Sequence, residues 1–334
     1  MNVLLELKTI QNDSLDPCYH LAVEECLLHH LKPGTCLLYL WQSENAVVIG
    51  RNQNPWRECR PALLERENTK MVRRPSGGGT VYHDKGNLNF SFIMDRDFYD
   101  RDRQLKVILS AVRSFGIDAS VNSRYDLIAQ GKKFSGSAHR FKKKTALHHG
   151  TLLLAVDKEN LSRYLKPSPH AIHGNSTSSI RSEVINLTEM TLPISVNDLK
   201  QSILIAFQEE YQSKASPLDL NSDIDREVLP NFIKDFTTWD WHYGRTPSFR
   251  MVCEILVKNR PQQLTFFVKE GRVEDLRSEP FSQMDRTAQH LADTLLGVRF
   301  RQPDLQERLK NNDSKLLDRK LVNFLIQWID ENHI

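Results

Sequence analysis

Three consecutive glycines follow two arginines in the run RRPSGGGTVYHD, residues 73–84. Glycine has no side chain to keep backbone N–H groups away from an anion. The arginines before it offer planar donors that match phosphate or carboxylate oxygens. The run therefore predicts a phosphate cradle, whereas the glycines taken alone favour a flexible surface turn beside solvated arginines.

A second run, KKFSGSA at residues 132–138, places lysines beside small hydroxyl residues and a glycine. Such a run can bring a fixed positive charge and several donors to an anionic substrate. The alternative is a basic hairpin tip, because three further lysines follow at residues 142–144, which are interpreted as solvated. Neighbouring side chains leave a strand in opposite directions, so Lys132 and Lys133 are expected to differ in their surroundings.

Two histidines begin the run HHGTLLL at residues 148–154. Adjacent residues of a strand point to opposite faces, so a metal ion held by this pair is not expected. One histidine is expected to be buried and the other to face the site. No metal ligands are predicted elsewhere.

Other nucleotide and metal motifs are missing from the chain. No glycine-rich run ends in GKS or GKT, and no GxGxxG follows a strand, which argues against a P-loop NTPase or a Rossmann dehydrogenase. The five cysteines include no CxxC pair, so neither a disulfide framework nor a zinc site is predicted. A reducing compartment fits this composition best.

Apolar patterns around these runs alternate between strand and helix. Runs at residues 36–41, 46–50 and 150–154 predict buried strands, and helical spacing predicts helices at 19–31 and 104–115. Ser195 is expected to cap a further helix, with Asp198 in a weak capping box. The order of elements predicts an α+β protein with a mixed sheet rather than repeated βαβ units.

Turn signals divide the chain further. Residues 83–87 separate two strand-like segments and predict a hairpin, and residues 167–182 have no periodicity and predict a long mobile loop. A glycine and proline break at 244–247 predicts a boundary. We expect a large mixed-sheet domain at 1–246 and a small C-terminal α/β domain at 249–334.

Composition sets the broad class of protein. The 334 residues are 40% hydrophobic and 26% charged, with a formal net charge of +3. This balance indicates a globular protein, and the charge is too small to require a nucleic-acid partner. No apolar run approaches the roughly 20 residues that span a bilayer, and the first residues do not have the pattern of a basic leader. A cytoplasmic protein without a membrane partner is expected.

Taken together, these motifs resemble the lipoate–protein ligase family, which is related to lipoyltransferases and biotin protein ligases. The resemblance covers nearly the whole chain: HLAVEE at 20–25, Trp41, VVIGRNQNPW at 47–56, the three runs described above, and WDW at 239–241. Several ordered motifs at family spacing are far more specific than any one of them. Pro75 departs from the small polar residue that bacterial members often carry, and it has no N–H to donate.

The resemblance implies a fold of the biotin and lipoate ligase type and a set of site residues. Lys133 matches the catalytic lysine of the family, whereas Lys132 does not. Asp126 could orient Lys133 or be a surface carboxylate. Trp41 and Val48 are expected to line the lipoate pocket, or else belong to the core, and Arg181 is expected on a lid formed by residues 167–182. The residues expected around ATP and lipoyl-AMP are Arg74, Ser76, Gly77, Gly78, Gly79, Thr80, Val81, Tyr82, His83, Asp126, Ser135, Gly136, Ser137, Ala138, His149 and Thr151.

The implied reaction activates lipoate with ATP and Mg²⁺ to lipoyl-AMP and transfers the lipoyl group to a lysine. The implied acceptors are apo lipoyl domains, found in E2 subunits of 2-oxoacid dehydrogenases and in the glycine cleavage H protein. The alternatives are a lipoyltransferase that uses preformed lipoyl-AMP and a non-enzymatic adapter that binds lipoyl domains. An octanoyl transferase would need a reactive cysteine, and the motifs contain none; Cys36 and Cys59 are nearest in sequence.

Overall fold

The computed structural model of the chain describes residues 5–10, 12–165, 172–190, 193–220, 228–257, 260–279, 285–312, 319–332 and 334. The strands are, in chain order, β1 (Glu6–Ile10), β2 (Thr35–Trp41), β3 (Ala46–Ile49), β4 (Lys70–Arg73), β5 (Val81–His83), β6 (Asn87–Asp95), β7 (Ala119–Val121), β8 (Leu127–Ala129), β9 (Lys132–Ser135), β10 (Ser137–Phe141), β11 (Thr145–Leu153), β12 (Ile172–Gly174), β13 (Ser216–Pro217), β14 (Phe249–Val257), β15 (Arg260–Lys269) and β16 (Arg272–Glu279). The helices are α1 (Pro17–His30), α2 (Pro55–Glu58), α3 (Pro61–Arg66), α4 (Arg101–Arg113), α5 (Lys158–Tyr164), α6 (Val196–Tyr211), α7 (Val228–Asp235), α8 (Asp285–Leu295), α9 (Gln302–Lys310) and α10 (Arg319–Glu331), with a π-helical turn at Asp240–Gly244.

The largest sheet has the strand order β10-β11-β6-β2-β1-β13. Strand β1 is parallel to β2 and β13, and the remaining neighbours are antiparallel. Helices α4 and α6 share a core with Phe90 and Phe92 on one face, while α1 packs with Leu37 and Tyr39 on the other. Because both faces are covered, β2 is buried along nearly its whole length, which explains its unbroken apolar sequence.

The start of α6 follows the predicted capping pattern. Ser195 Oγ accepts from the backbone N–H of Asp198, and the Asp198 carboxylate accepts from the backbone N–H of Ser195. This reciprocal pair satisfies two donors that the first turn leaves without helical partners. The predicted helix and its cap are confirmed, as are the mixed sheet and the α+β class.

Two further sheets have three strands each, with the orders β4-β3-β5 and β7-β8-β9. The predicted hairpin across residues 83–87 is wrong, because β5 pairs with β3 whereas β6 pairs with β2 and β11. Both edges of β6 are thus occupied by other strands, and none is left for β5. The turn instead carries the chain from one sheet to another. By contrast, Gln130 and Gly131 join β8 to β9 with φ angles of 51° and 75°, as a two-residue hairpin turn requires.

The last part of the chain forms its own sheet and core. Strands β12, β14, β15 and β16 lie in that order, and α8, α9 and α10 contribute to a core around Phe266, Leu291 and Trp328. Strand β12 falls within the segment that was predicted to be a loop, and this corrects the prediction for residues 172–174. Three residues are too few to give a strand period, and the pairing partner β14 is distant in sequence. Residues 167–171 of the predicted loop lie outside the described part.

Trp56 of α2 links the two halves of the chain. Its side chain is 2% exposed, and its ring centroid lies 5.4 Å from Tyr243, 5.1 Å from Phe249 and 5.6 Å from Phe300. It therefore belongs to the core of the C-terminal sheet although α2 follows β3. Its indole N–H has no hydrogen-bond partner among the described residues.

Trp56→Ala is expected to lower the free energy of unfolding by about 3–5 kcal/mol, because it leaves a large cavity among three aromatic rings. Trp56→Phe keeps a ring and removes the unpaired N–H, so we expect a much smaller loss. Urea unfolding followed by circular dichroism measures both variants. Equal stability of the two would show that ring packing at Trp56 does not hold the C-terminal core.

Candidate functional site

Two adjoining cavities open beside the glycine run. The first has a volume of about 360 Å³ and the second of about 680 Å³. They share a wall that includes Thr80, Val81, Lys133, Gly136 and Thr151. Residues of the large sheet, of the β4-β3-β5 sheet and of β9 line these cavities, so three sheets position the site together.

Arg74 holds the glycine run in shape. Its guanidinium is buried and donates to the carbonyl oxygens of Val48 at 3.1 Å, Gly77 at 2.7 Å and Gly79 at 2.6 Å. Gly78 between them has a φ of 89°, and a Cβ there would lie 2.9 Å from Arg74 Nη2. Glycine is therefore required by both conformation and space. Arg74 shapes the loop and also lines the first cavity.

Arg73, the neighbouring arginine, points elsewhere. Its side chain is fully buried and donates to the carbonyl oxygens of Gly50, Arg51 and Gln53 at 2.8 to 3.2 Å. It also donates to the carbonyl oxygen of His242 at 2.9 Å and to Thr246 Oγ1 at 2.7 Å. Burial lowers the pKa of Arg73 to about 10, which leaves it charged at neutral pH. It ties the start of the site loop to the π-helical turn.

A chain of buried hydrogen bonds runs from α1 to the glycine run. The Glu24 carboxylate accepts from His149 Nδ1 at 2.9 Å, and His149 Nε2 lies 2.7 Å from Ser76 Oγ. Ser76 Oγ accepts in turn from Arg74 Nε at 3.1 Å. Because a carboxylate only accepts, this order fixes the tautomer of His149 with its proton on Nδ1. Glu24 thereby orients the residues that shape the loop.

Glu24 also supports the apolar end of the first cavity. Ser91 Oγ donates to Glu24, and the indole N–H of Trp41 donates to Ser91 Oγ at 3.2 Å. Sequence analysis did not single out Glu24 or Ser91 as site residues. The sequence signal was its place in the HLAVEE run, and the structure shows that Glu24 is 1% exposed among the buried residues of α1.

Lys132 and Lys133 leave β9 in opposite directions, as the strand period predicts. Lys133 Nζ forms an ion pair with Asp126 Oδ1 at 2.7 Å and lines both cavities. Lys132 Nζ pairs with Glu183 at 2.8 Å, and its side chain is 42% exposed. A Cβ at Gly136 would lie 2.5 Å from Lys133 Nζ, so glycine is needed there for the lysine to reach the shared wall. Asp126 is thus a buried partner of Lys133 and not a surface carboxylate.

His148 and His149 also face opposite ways. His148 is fully buried and lies 2.7 Å from Gln104 Oε1 through its Nδ1, whereas His149 lines the first cavity. The expected division into one buried histidine and one site-facing histidine is confirmed.

The structure brings most of the predicted site residues to these cavities. Those that line the first cavity are Trp41, Val48, Arg74, Gly78, Gly79, Thr80, Val81, His83, Asp126, Lys133, Gly136, Ser137, Ala138, His149 and Thr151. Tyr82, Ser135 and Arg181 line only the second cavity. Ser76 and Gly77 line neither and act on the loop from behind, through Arg74 and His149.

Residues 176–182 cover the glycine run. Ser179 Oγ accepts from the backbone N–H of Thr80 at 2.9 Å and from Gln53 Nε2 at 3.0 Å, and it donates to Glu58. Arg57 on the same helix, α2, donates to Ser176 Oγ at 3.1 Å. This segment follows β12 directly, so it joins the C-terminal sheet to the mouth of the cavities.

Some kinds of site are missing from the described residues. The described residues include no cluster of three or more His, Cys, Asp or Glu side chains that could hold a metal ion. No helix in the described ranges is long and apolar enough to cross a membrane. All five cysteines are buried and free, and none lines either cavity; burial raises the pKa of Cys36 to about 12. A cysteine nucleophile in these cavities is therefore excluded.

Comparisons with known proteins agree with this arrangement. A family model described as "Lipoyl protein ligase A/B catalytic domain" matches residues 16–208. The chain is 33% identical over 335 residues to a protein of Bdellovibrio bacteriovorus named Lipoate-protein ligase A, and the match covers 98% of each. Because the relative is matched over nearly its full length, the chain belongs to the lipoate–protein ligase A family, and it is a ligase.

Solved structures show the same fold. The crystal structure of P. falciparum LipL1 in complex with lipoate is 24% identical, with a TM-score of 0.62 and coverage of 98% of this chain and 99% of that one. A crystal structure of lipoate-protein ligase A bound with ATP is 23% identical, with a TM-score of 0.62 and coverage of 71% and 98%.

Several histidines around the site are held neutral. Burial lowers the pKa of His20, His139 and His242 to about 4 and that of His83 to about 3. His148 is shifted in the same direction. His242 Nδ1 accepts from the backbone N–H of Arg73 at 3.1 Å, so its neutral form is part of the fold.

Acidification from about pH 7 toward pH 5 is expected to lower the free energy of unfolding, because these histidines then bind protons only in the unfolded chain. Their contribution is present above about pH 6.5 and is lost as the pH falls toward 4. His242→Asn keeps an acceptor for Arg73 and removes one titrating group, so the slope should decrease by about 1.4 kcal/mol per pH unit. Urea unfolding at several pH values measures the slope, and a slope equal to that of the wild type would contradict the assignment.

Proposed function

We propose that this protein is an ATP-dependent lipoate–protein ligase that forms lipoyl-AMP and transfers the lipoyl group to a lysine of apo lipoyl domains. The observation that carries the proposal is the position of Lys133 on the wall shared by the two cavities, paired with Asp126 at 2.7 Å. A carboxylate from one cavity and a phosphate from the other would meet at this cation. Family membership supports the same reaction.

Each cavity suits one part of the substrate pair. The first has apolar walls at Leu21, Trp41 and Val48, which fit the acyl chain of lipoate. The second is larger and has apolar side chains from Leu153, Leu161 and Val184 beside hydroxyl groups, which fits a nucleoside. We therefore place lipoate in the first cavity and ATP in the second.

In the first half-reaction a carboxylate oxygen of lipoate attacks the α-phosphorus of ATP, and the bond to the bridging oxygen of pyrophosphate breaks. Both reactants are anionic, so a fixed cation between them offsets repulsion and stabilises charge that grows in the transition state. Lys133 supplies that cation, and Asp126 orients its ammonium group. Backbone groups of the glycine run, held by Arg74, border the first cavity beside it.

In the second half-reaction a neutral lysine amine of the acceptor attacks the acyl carbon, and AMP leaves as the amine loses its proton. AMP is a good leaving group, so positioning matters more than a strong base. The mixed anhydride must be shielded from water between the steps. We assign this shielding to the lid predicted at residues 167–182, in which Ser179 contacts Thr80 and Arg181 lines the second cavity.

Magnesium enters with ATP as part of the substrate. The described carboxylates near the cavities do not form a cage for it, and Asp126 is already paired with Lys133. Phosphate oxygens and water are the usual ligands of this ion in nucleotide sites. No residue of this chain is therefore assigned as a metal ligand.

The remaining assignments concern organisation and partners. We propose a catalytic domain at 1–246 and a small accessory domain at 249–334 that supports adenylation by closing over the nucleotide. The proposed acceptors are lipoyl domains of E2 subunits and the glycine cleavage H protein, in the cytoplasm, with no nucleic acid or membrane partner.

Intact mass measurement of an apo lipoyl domain after incubation with the protein, lipoate, ATP and magnesium tests the function. An acyl mass increment is expected with lipoate and ATP, and also with synthetic lipoyl-AMP alone. Modification only from lipoyl-AMP would identify a lipoyltransferase, and binding without modification would identify an adapter.

Lys133→Ala is expected to slow pyrophosphate release by at least about a hundredfold, because one donor to developing charge is commonly worth about 3 kcal/mol. Lys132→Ala removes the same charge from the neighbouring position and should have a much smaller effect. Stopped assays of both variants, after circular dichroism confirms their folds, make the comparison. If Lys132→Ala were the impaired variant, the placement of the site would be wrong.

Arg74→Lys tests whether the shape of the guanidinium matters in addition to its charge. Lysine cannot reproduce the planar set of donors that holds Val48, Gly77 and Gly79, so a loss of about tenfold or more in adenylation is expected with charge retained. Arg51→Lys, at an exposed neighbour, is the control and should retain normal rates. Full activity of Arg74→Lys would assign Arg74 a role through charge alone.

A further inference from the structure

Arg124 lies on the solvent-exposed side of the first cavity. Its side chain lines that cavity and is 48% exposed. Arg124 Nη2 donates to Ser182 Oγ at 3.1 Å, and Ser182 lines both cavities. We call these two residues the rim. The apolar end of the same cavity, at Leu21, Trp41 and Val48, is by contrast buried.

The turn that carries Arg124 has a fixed backbone. Asn122 Oδ1 accepts from the backbone N–H of Arg124 at 2.8 Å and from that of Asp126 at 3.0 Å. Tyr125, between them, has a φ of 63°, a left-handed conformation that is unfavourable for tyrosine. Such strain persists where the surrounding structure maintains it, and it clusters at functional sites. The turn therefore presents Arg124 and Asp126 together beside the shared wall.

One carboxylate connects Arg124 to Lys133. Asp126 Oδ1 accepts from Lys133 Nζ at 2.7 Å, whereas Asp126 Oδ2 lies 3.6 Å from Arg124 Nε. Two positive charges against one negative charge leave this cluster with a net charge of +1. A long, exposed ion pair such as the one between Arg124 and Asp126 contributes little to stability. The charge of Arg124 is therefore available to an anion that enters the rim.

The first half-reaction needs a place for its leaving anion. The attacking oxygen and the leaving oxygen lie roughly in line on opposite sides of the phosphorus. With the acyl chain in the apolar end and the α-phosphate at Lys133, pyrophosphate departs away from the apolar end. The rim is the exposed part of the same cavity, and the product leaves through solvent. The electron pair of the broken bond stays on pyrophosphate, where a guanidinium can donate to the growing charge.

We propose that Arg124 binds the β- and γ-phosphates of ATP and the pyrophosphate that forms from them. The proposal rests on the ligase function and adds the residue that holds the leaving group. Arg124 acts in adenylation and in its reversal, in which pyrophosphate attacks the phosphorus of lipoyl-AMP, lipoate leaves and ATP forms. It does not act in transfer to the acceptor, because AMP is the leaving group of that step.

The reverse reaction tests the proposal, because pyrophosphate is then a substrate whose KM can be measured. ATP formed from lipoyl-AMP, pyrophosphate and magnesium is followed by luciferase luminescence. Arg124→Gln is expected to raise the KM for pyrophosphate by about tenfold or more, since a charge-assisted hydrogen bond is lost. Transfer from supplied lipoyl-AMP to an apo lipoyl domain should stay within about twofold of the wild-type rate. An unchanged KM, or equal losses in both reactions, would overturn the assignment.

Lys132→Gln is the matched control. It removes one positive charge from a side chain of similar exposure, 42%, that lines neither cavity. Its KM for pyrophosphate should stay within about twofold of the wild-type value, because an exposed ion pair is all that it loses. Arg124→Lys keeps the charge without the planar donors, so its KM should lie between those of the wild type and Arg124→Gln. A rise in Lys132→Gln equal to that in Arg124→Gln would show a response to overall charge and contradict the assignment.

Chemical protection tests the same site without a substitution. Phenylglyoxal modifies exposed arginines, and peptide mass mapping measures the modified fraction of each. We expect pyrophosphate with magnesium to slow the modification of Arg124 several-fold. Modification of Arg66, an exposed arginine that lines neither cavity, should be unchanged. Equal modification of Arg124 with and without pyrophosphate would contradict the proposal, whether or not the variants fold.

These experiments separate the phosphate site from the ligase function. A wild-type protein that neither forms ATP from lipoyl-AMP and pyrophosphate nor releases pyrophosphate from lipoate and ATP contradicts the ligase function, and the assignment of Arg124 falls with it. A wild-type protein active in both directions, with an unaffected Arg124→Gln variant, contradicts the phosphate site alone.

Discussion

Two adjacent buried guanidinium groups hold the site together. Arg73 and Arg74 have no carboxylate within ion-pair distance among the described residues, and carbonyl oxygens surround both. Removing a cation from water is costly, and the aligned carbonyl dipoles must offset that cost. Arginine can accept this arrangement because its charge persists and its donors lie in a plane. Each carbonyl that the pair binds is thereby fixed in place. The glycine run, which has high conformational entropy in the unfolded chain, therefore forms a defined wall of the cavity.

The two halves of the chain are joined at more than one point. Trp56 lies in the C-terminal core, and β12 extends the C-terminal sheet before the chain passes over the glycine run. Helix α2 carries Trp56 on one side and contacts Ser176 and Ser179 through Arg57 and Glu58. A displacement of the C-terminal core would therefore also displace Ser176 and Ser179 at the mouth of the cavities, because one short helix contacts both regions. This helix connects the C-terminal core to the cavities, although no described residue from 249 onward lines either of them.

Sequence alone predicted the features that depend on local periodicity. The capping box at Ser195 and the opposite directions of Lys132 and Lys133 follow from neighbours a few positions apart. The role of Glu24 could not be predicted, because its partner His149 is 125 positions away and a carboxylate on a helix usually faces solvent. The hairpin at 83–87 was wrong for a similar reason, since strand pairing is decided by which sheet edges are already occupied. Most of the predicted site residues line the two cavities, because they lie on strands and loops that the three sheets bring together.

The contacts of Arg73 also affect the order in which parts of the polypeptide can fold during synthesis. Its donors bind residues 50–53, which emerge from the ribosome early, and residues 242–246, which emerge much later. Until the later segment is available, the guanidinium of Arg73 lacks its acceptors at His242 and Thr246, and the start of the site loop is only partly anchored. Domains fold as their sequences become available during translation. The nascent chain can thus pair all strands of its large sheet, the last of which in chain order is β13, before Arg73 completes the contacts that anchor the site loop.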